Sequence, residues 1–115
     1  PLQGRLPMIL ATIEAIPDHR VVQVLGLVRG ASIRARHLGQ DIVATMRNIT
    51  GGELFEYTKV LAEAREEAVD RMVDEARALG ANAVLGVRFQ SAEVTRGAAE
   101  MLCYGTAVRV ERATP

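Results

Sequence analysis

The sequence predicts an α+β domain in which an antiparallel sheet is packed by one long helix and one short helix. Three observations support this class. The 115 residues suit a single domain, and 49% of them are apolar, which is enough for a core. A stripe of apolar residues at helical spacing occupies the middle of the chain. Runs rich in valine and leucine lie on either side of it. We place the domain at residues 8–112 and interpret residues 1–7 as an extension.

Two strands are predicted before the helices. Met8 to Ile13 is short and apolar, and Pro17-Asp18-His19 after it is a turn signal. Val21 to Val28 is the second strand, and Gly30 ends it. Both faces of this strand are apolar: Val22, Val24 and Val28 point one way, and Val21, Leu25 and Leu27 the other. Because one face of a small antiparallel sheet usually meets water, we expect a second layer, such as a neighbouring subunit, to cover this strand.

Two helices are predicted next. Gly39 to Asn48 forms the short helix. The long helix carries apolar residues at steps of three or four from Tyr57 to Leu79. Its stripe contains three alanines, so this helix can approach the sheet closely. Gly80 then fits the left-handed residue that ends many helices.

Two more strands complete the predicted sheet. The first is Ala83 to Gln90, with Ala83, Leu85, Val87 and Phe89 on one face. Ser91 to Gly97 reads as a polar turn, and Ala98 to Val110 as the last strand. The last strand also alternates: Met101, Cys103, Gly105 and Ala107 share one face, and Leu102, Tyr104, Thr106, Val108 and Val110 share the other.

The charges cancel over the whole chain but are separated along it. The formal net charge is zero, which argues against a general nucleic-acid binder. Five arginines face the single acid Asp41 between residues 20 and 49, whereas residues 56–77 hold seven acids and four bases. Such blocks can form complementary contacts within or between subunits, or remain solvated faces. Since no signal peptide or membrane-spanning run is visible, we expect a cytoplasmic protein without membrane contact.

The double glycine before the long helix is the first candidate site. Thr50-Gly51-Gly52-Glu53 has the form of a capping box, which needs no ligand. The alternative is that the bare N–H groups of Gly51 and Gly52 hold an anion. We favour the structural interpretation, in which the glycines begin the helix and allow close packing.

The other candidates are Arg34, Arg36, His37 and Cys103. The arginines can bind phosphate, but no aromatic residues interleave with them as in a nucleic-acid platform. Cys103 is the only cysteine, and such a residue usually acts as a small core hydrophobe. Two alternatives stay open: a metal site built from several copies of Cys103 at a shared axis, or a nucleophile paired with His37. The sequence specifies no cofactor, although a metal ion is one candidate.

Three segments resemble the YbjQ-like family, which is also labelled heavy-metal-binding. They are "VLGLVRG" at Val24 to Gly30, the run from Arg47 to Phe89 that includes "ITGGELFEY" and "ARALGANAVLGV", and "YGTAV" at Tyr104 to Val108. The resemblance covers Met8 to Glu111. It implies a dodecin-like subunit, a ring-shaped homopentamer, and a bacterial or archaeal cytoplasmic protein without an established enzymatic activity. Some relatives carry a cysteine where this chain has Leu25, so we carry over no metal ligand.

These observations lead to two main functional hypotheses. The first is a homo-oligomer, expected to be a pentamer, that binds a small ligand between subunits or acts as a scaffold. Its candidate ligand contacts are Arg34, Arg36, His37, Gly51 and Gly52. The second is a metal-binding protein whose ligands are assembled between subunits, with Cys103 as its candidate. An enzyme using His37 or Cys103 is a third hypothesis, but no catalytic residue is assigned. The expected partner is a further copy of the chain, with no nucleic acid.

Overall fold

A computed structural model describes residues 7–35, 51–95 and 98–113. Within these ranges the elements are β1 (Ile9–Leu10), β2 (His19–Ala35), α1 (Gly51–Ala78), β3 (Ala83–Thr95) and β4 (Ala98–Arg112). Four strands form one sheet, and α1 packs on one of its faces, over β2 and β4. The α+β class is therefore confirmed. The predicted short helix at Gly39 to Asn48 lies outside the described residues, and the 1–7 extension stays a prediction.

The sheet has the strand order β1-β3-β4-β2. β4 is antiparallel to both β3 and β2, whereas β1 runs parallel to β3 through the pairs Ile9↔Ala83 and Leu10↔Val84. The sheet is mixed, so the prediction of a wholly antiparallel sheet is wrong for β1. The physical reason is that β1 and β2 lie at opposite edges with two strands between them, so they cannot form a hairpin.

Three strands are longer than predicted, β4 by only two residues, to Arg112, and β2 and β3 by five or more. β2 continues through Gly30 to Ala35, and β3 continues to Thr95, so the predicted turn beginning at Ser91 is wrong as far as Thr95. The polar residues at the end of β3 are paired with β4, as in Ser91↔Met101 and Ala92↔Glu100. This arm of the hairpin is exposed to water, so its residues are polar. A polar run of this kind looks like a loop when only the sequence is considered.

A bulge in β3 changes which side chains share a face. Gly86 has a φ of 64°, and the register with β4 shifts between Leu85 and Arg88. Val84 and Val87 consequently belong to the core under α1, whereas Ala83 and Leu85 belong to a second core on the other side of the sheet. The prediction that Val87 lies with Ala83 and Leu85 is wrong because one extra residue resets the alternation.

The prediction of which β2 side chains share a face is wrong for the same reason. The register of β2 with β4 shifts between Val24 and Gly26, which places Leu25 with Val28 against the helix. Val24 lies on the other face, opposite Val108. The predicted grouping of Val24 with Val28 is therefore wrong, although apolar residues do occupy both faces of the strand.

α1 contacts the sheet through three alanines and one methionine. Ala64, Ala68, Met72 and Ala76 have no exposed surface, and they mark the side of the helix that faces the sheet. At Gly30 the two backbones meet: a Cβ there would lie 2.1 Å from the Ala68 carbonyl oxygen. The predicted close approach is thus real, and Gly30 serves this contact inside the strand.

The end of α1 is the one predicted from Gly80. This residue has a φ of 90°. Its N–H donates to the Arg77 carbonyl at 2.9 Å, and the Ala81 N–H donates to the Ala76 carbonyl at 3.0 Å. These are the two bonds of a Schellman motif, which satisfies carbonyls left free at a helix end. Ala81 then packs against the core, so the turn directs the chain into β3.

We expect Gly30→Ala to lower the free energy of unfolding by about 3 kcal/mol, because the new methyl group meets helix backbone that cannot rotate away. The comparison variant is Gly80→Ala. A Cβ at Gly80 has nothing within 4 Å, so only its left-handed backbone is strained, at a cost of about 1 kcal/mol. Urea unfolding of both variants measures the difference. Equal losses would contradict a steric role for Gly30.

Candidate functional site on the open face of the sheet

The face of the sheet away from α1 is called the open face here. Residues directly opposite in neighbouring strands share a face, and Val110, Val108, Thr106 and Tyr104 of β4 point away from the helix side occupied by Cys103. Their partners in β2 therefore lie on the open face: Val21, Val24, Leu27 and Arg29, with Ile33 further along. Val24, Leu27 and Ile33 are more than 60% exposed. β2 thus presents a row of apolar side chains to water.

Only part of the open face is covered by the chain itself. On β3 and β4, Leu85, Val108 and Val110 are buried, with Ile9 and Ile16 of the N-terminal segment packed against them. No comparable cover lies over β2 within the described ranges. The exposed row on β2 is the feature for which a second layer was predicted from the sequence.

A cavity of about 500 Å³ lies where the N-terminal segment meets this row. Its floor is apolar, its rim carries a carboxylate, a guanidinium and a hydroxyl, and it is lined by Glu14, Val21, Val24, Leu85, Gly86, Arg88, Thr106 and Val108. Arg88 is held in place because one of its terminal nitrogens donates to the carbonyls of Thr12, at 2.8 Å, and Val87, at 2.9 Å. The size and lining suit an apolar side chain or a small amphipathic ligand.

Sequence reasoning missed this cavity because it depends on the bulge. The bulge at Gly86 turns Arg88 onto the open face, opposite Tyr104. A glycine inside a strand pattern was the available signal, since such glycines often mark bulges.

The outer edge of β2 is closed by side chains of α1. The Glu75 carboxylate accepts a hydrogen bond from the Arg29 N–H at 2.9 Å, and Arg71 donates to the Ala31 carbonyl at 2.5 Å. Arg71 also pairs with Glu67 at 3.5 Å, and Glu67 accepts a hydrogen bond from the buried Ser32 hydroxyl. The N–H and C=O groups that an added strand would need are therefore occupied here, which is one way that proteins protect edge strands.

The site residues predicted from the sequence are only partly placed. Arg34 lies in β2, and Gly51 and Gly52 are the first two residues of α1, as expected for a helix start. Arg36 and His37 lie outside the described residues. The ligand-binding hypothesis for these five residues stays a prediction.

Cys103 lies in the core beneath α1 with no exposed surface. Its Sγ donates to the Met72 Sδ at 3.5 Å, and burial raises the pKa of the thiol. A neutral thiol packed against a thioether behaves as a small hydrophobe. A metal shared between copies of Cys103 would require α1 to move off the sheet. Across the described ranges, no group of three or more His, Cys, Asp or Glu side chains is arranged to hold a metal ion.

Sequence comparison agrees with this architecture. The model of a family described as "Putative heavy-metal-binding" matches residues 8–111. A UPF0145 protein of Thermus thermophilus is 56% identical over 110 residues, which cover 96% of each chain. A UPF0145 protein of Pyrococcus furiosus is 51% identical over 105 residues, covering 91% of this chain and 92% of that one. Both bacteria and archaea therefore contain relatives.

Comparison with solved structures also finds a protein of similar fold. A protein of unknown function of the DUF74 family from Pediococcus pentosaceus has a TM-score of 0.58 and 14% sequence identity, covering 90% of this chain and 98% of that one. This likeness concerns the fold alone. The molecule is thus a small α+β protein whose open sheet face is only partly covered within the described ranges. Specifically, the chain belongs to the YbjQ-like family, whose members are also named UPF0145 proteins. In the part of the chain described, no helix is both long and apolar enough to cross a bilayer.

We expect Arg71→Ala combined with Glu75→Ala to make the protein aggregate through strand pairing, because both changes free hydrogen-bonding groups at the edge of β2. Thioflavin T fluorescence and light scattering should both rise during incubation. The matched control is Arg65→Ala with Asp74→Ala, which removes the same charges from exposed positions of α1. Circular dichroism confirms that each variant is folded. Aggregation that is equal in the two double variants would contradict the capping role.

We expect the advantage of Cys103 over alanine to shrink in alkaline solution. Because the folded protein raises the pKa of the thiol above its ordinary value of 9.0, unfolding releases a proton at high pH. The stability that the neutral thiol contributes is complete below pH 9.0 and is lost as the pH rises through the raised pKa. Urea unfolding of the wild type and Cys103→Ala from pH 7 to pH 10 measures this difference. A difference that grows with pH would contradict burial of the neutral thiol.

Proposed function

We propose that this protein is a cytoplasmic homo-oligomer, a ring of five copies, that acts as a small-ligand-binding or scaffold protein. The observation that carries the proposal is the exposed apolar row on β2. Nine large apolar side chains are exposed in the described ranges, and five of these belong to β2: Val22 at a register shift, and the four members of the row, Val21, Val24, Leu27 and Ile33. Contiguous exposed apolar surface of this kind marks interaction sites.

The energetics also favour association. Fully burying a valine, leucine or isoleucine side chain contributes about 1.5–3 kcal/mol, so the row offers a substantial driving force for each contact. The shape points the same way. The chain measures 59 × 26 × 23 Å with a radius of gyration of 17.9 Å, compared with about 13 Å for a compact domain of 100 residues. An elongated subunit gains more by sharing surface with copies of itself.

The number five comes from the family resemblance, and the fold supports a ring in general terms. The uncovered sheet face and the helix-covered face differ in composition, so contacts between copies can run head to tail. Head-to-tail contacts generate closed rings when the rotation between copies closes.

A ligand in this assembly has two candidate positions. The first is the cavity beside Val24 and Arg88, which a neighbouring copy would cover and enclose. The second is the set predicted from the sequence, Arg34, Arg36, His37, Gly51 and Gly52. Both fit a small ligand bound between subunits.

Heavy-metal binding is the second candidate function, and the description of the family favours it. The sulfur atoms of Cys103 and Met72, 3.5 Å apart in the described core, form a pair of soft donors. Their burial against α1 makes this candidate weaker than the assembly, because the thiol is held in its neutral form whereas metal binding requires the thiolate.

Native mass spectrometry of untagged protein tests both functions in one spectrum. We expect a pentamer for the wild type and for Leu79→Asp, and loss of the ring for Leu27→Asp. Leu79 is the matched control because it is also exposed, but it lies after α1 and not on β2.

Each possible result has a definite reading. A pentamer with a defined extra organic mass identifies the class of small ligand, and a pentamer without extra mass favours the scaffold role. Metal mass that is lost in Cys103→Ser supports the second candidate. A monomeric wild type overturns the assembly.

A further inference from the structure

Two surfaces of complementary chemistry lie on opposite sides of this molecule. One is the open face of β2, where the apolar row adjoins the exposed side chain of Arg29. The other is the outer surface of α1, defined here by the half-buried Ala62, Val69 and Val73 together with the exposed Glu63, Glu66 and Asp70. Each surface combines apolar groups with charge, and the charges have opposite sign.

The register of the sheet fixes the direction of Arg29. It lies directly opposite Tyr104, whereas the neighbouring pair Gly30↔Cys103 faces α1. Because successive residues of a strand alternate between faces, the Arg29 side chain points away from the helix. Only its backbone N–H contacts α1, through Glu75.

The helical repeat fixes the direction of the acids. Ala64, Ala68 and Met72 face the sheet, and at 100° per residue Glu66 and Asp70 lie on the far side of the helix. They line a shallow concavity of about 490 Å³ with Glu63 and Lys59. The whole thickness of the sheet and helix therefore separates them from Arg29, so these opposite charges can meet only between two molecules.

The apolar parts of the two surfaces also match. Val69 and Val73 lie beside Glu66 on the helix, and they are only partly covered by their own chain. On the open face, Leu27 and Val24 lie beside Arg29 along β2. A contact that places the apolar groups together also brings Arg29 to the acids.

Strand pairing is the competing way to use β2, and the fold disfavours it. The edge is occupied by Glu75 at the Arg29 N–H and by Arg71 at the Ala31 carbonyl. The part of the edge before these residues contains two register shifts, between Val21 and Gln23 and between Val24 and Gly26. Bulges of this kind twist an edge away from further strands. The side chains of the open face remain as the means of association.

We propose that the open face of β2 in one copy docks on the outer surface of α1 in the next copy, with Arg29 against Glu66 and Asp70. This inference rests on the proposed homo-oligomer and identifies its contact surfaces. The two surfaces differ, so the contact is head to tail and repeats around a ring.

Charge reversal tests this docking. Arg29→Glu alone and Glu66→Arg alone each place like charges together, and we expect each to weaken assembly by about 100-fold or more. The double variant Arg29→Glu with Glu66→Arg restores opposite charges and should recover assembly to within about 10-fold of the wild type. The two side chains lie on opposite faces of one chain, so recovery reports a contact between copies.

The control is Arg65→Glu, which makes the same change in net charge at another exposed position of α1 and should leave assembly unchanged. Subunit number against concentration is measured by native mass spectrometry and analytical ultracentrifugation, with urea unfolding to confirm that every variant folds. A wild-type ring that survives Arg29→Glu, or single variants that the double change fails to rescue, overturns this docking while the oligomer stands. A monomeric wild type overturns both.

Discussion

The meeting of two backbones at Gly30 is the constraint on which the rest of this fold depends. A Cβ of Gly30 would lie 2.1 Å from the Ala68 carbonyl oxygen, so α1 approaches β2 here more closely than any other residue at this position would allow. That short distance makes the interior beneath the helix thin, and the helix contributes to it Ala64, Ala68, Ala76 and the single larger Met72. It also brings the side chains along one flank of the helix within reach of the strand edge, where Arg71 and Glu75 occupy backbone groups of β2.

The thin interior explains why so many large apolar side chains lie outside the core and are exposed to water. A small domain buries only a limited share of its surface, and here the core uses alanines where bulkier residues would bury more. The bulge near Leu25 places Val24 on the open face, where it joins Leu27 as an exposed apolar side chain. In the proposed ring, a neighbouring copy supplies a second layer over this face. The buried and neutral Cys103 belongs to the same thin core. We therefore interpret it as a packing residue and not as a reactive thiol.

Much of the fold could be predicted from the sequence because its signals are local. The helix stripe, the end at Gly80 and the alternation of β4 each depend on neighbouring residues; the last two are confirmed, and the stripe is confirmed from Ala64 to Ala76 but not at the exposed Leu79. Predictions that depend on one extra residue failed: the bulges at Gly86 and near Leu25 reversed the faces of Val87 and Val24. The prediction that β1 is antiparallel failed because the direction of this strand depends on the path of the chain across the sheet. Gly86 signalled the bulge beside the cavity, but the lining of that cavity and the capped edge could not be predicted, since each joins residues from distant parts of the sequence.

The capped edge of β2 and the proposed head-to-tail contact together explain how an assembly of this chain would stop at a fixed number of copies. A long free edge strand lets copies add without limit, because each addition exposes a new edge. Arg71 and Glu75 remove that route, which leaves side-chain packing. A head-to-tail contact closes into a ring only when the rotation between successive copies divides a full turn. In the proposed docking that rotation is set by the angle between the open face of β2 and the outer surface of α1. Gly30 sets how closely α1 lies on β2, so the residue that positions the helix within one subunit also bears on the geometry of the proposed assembly.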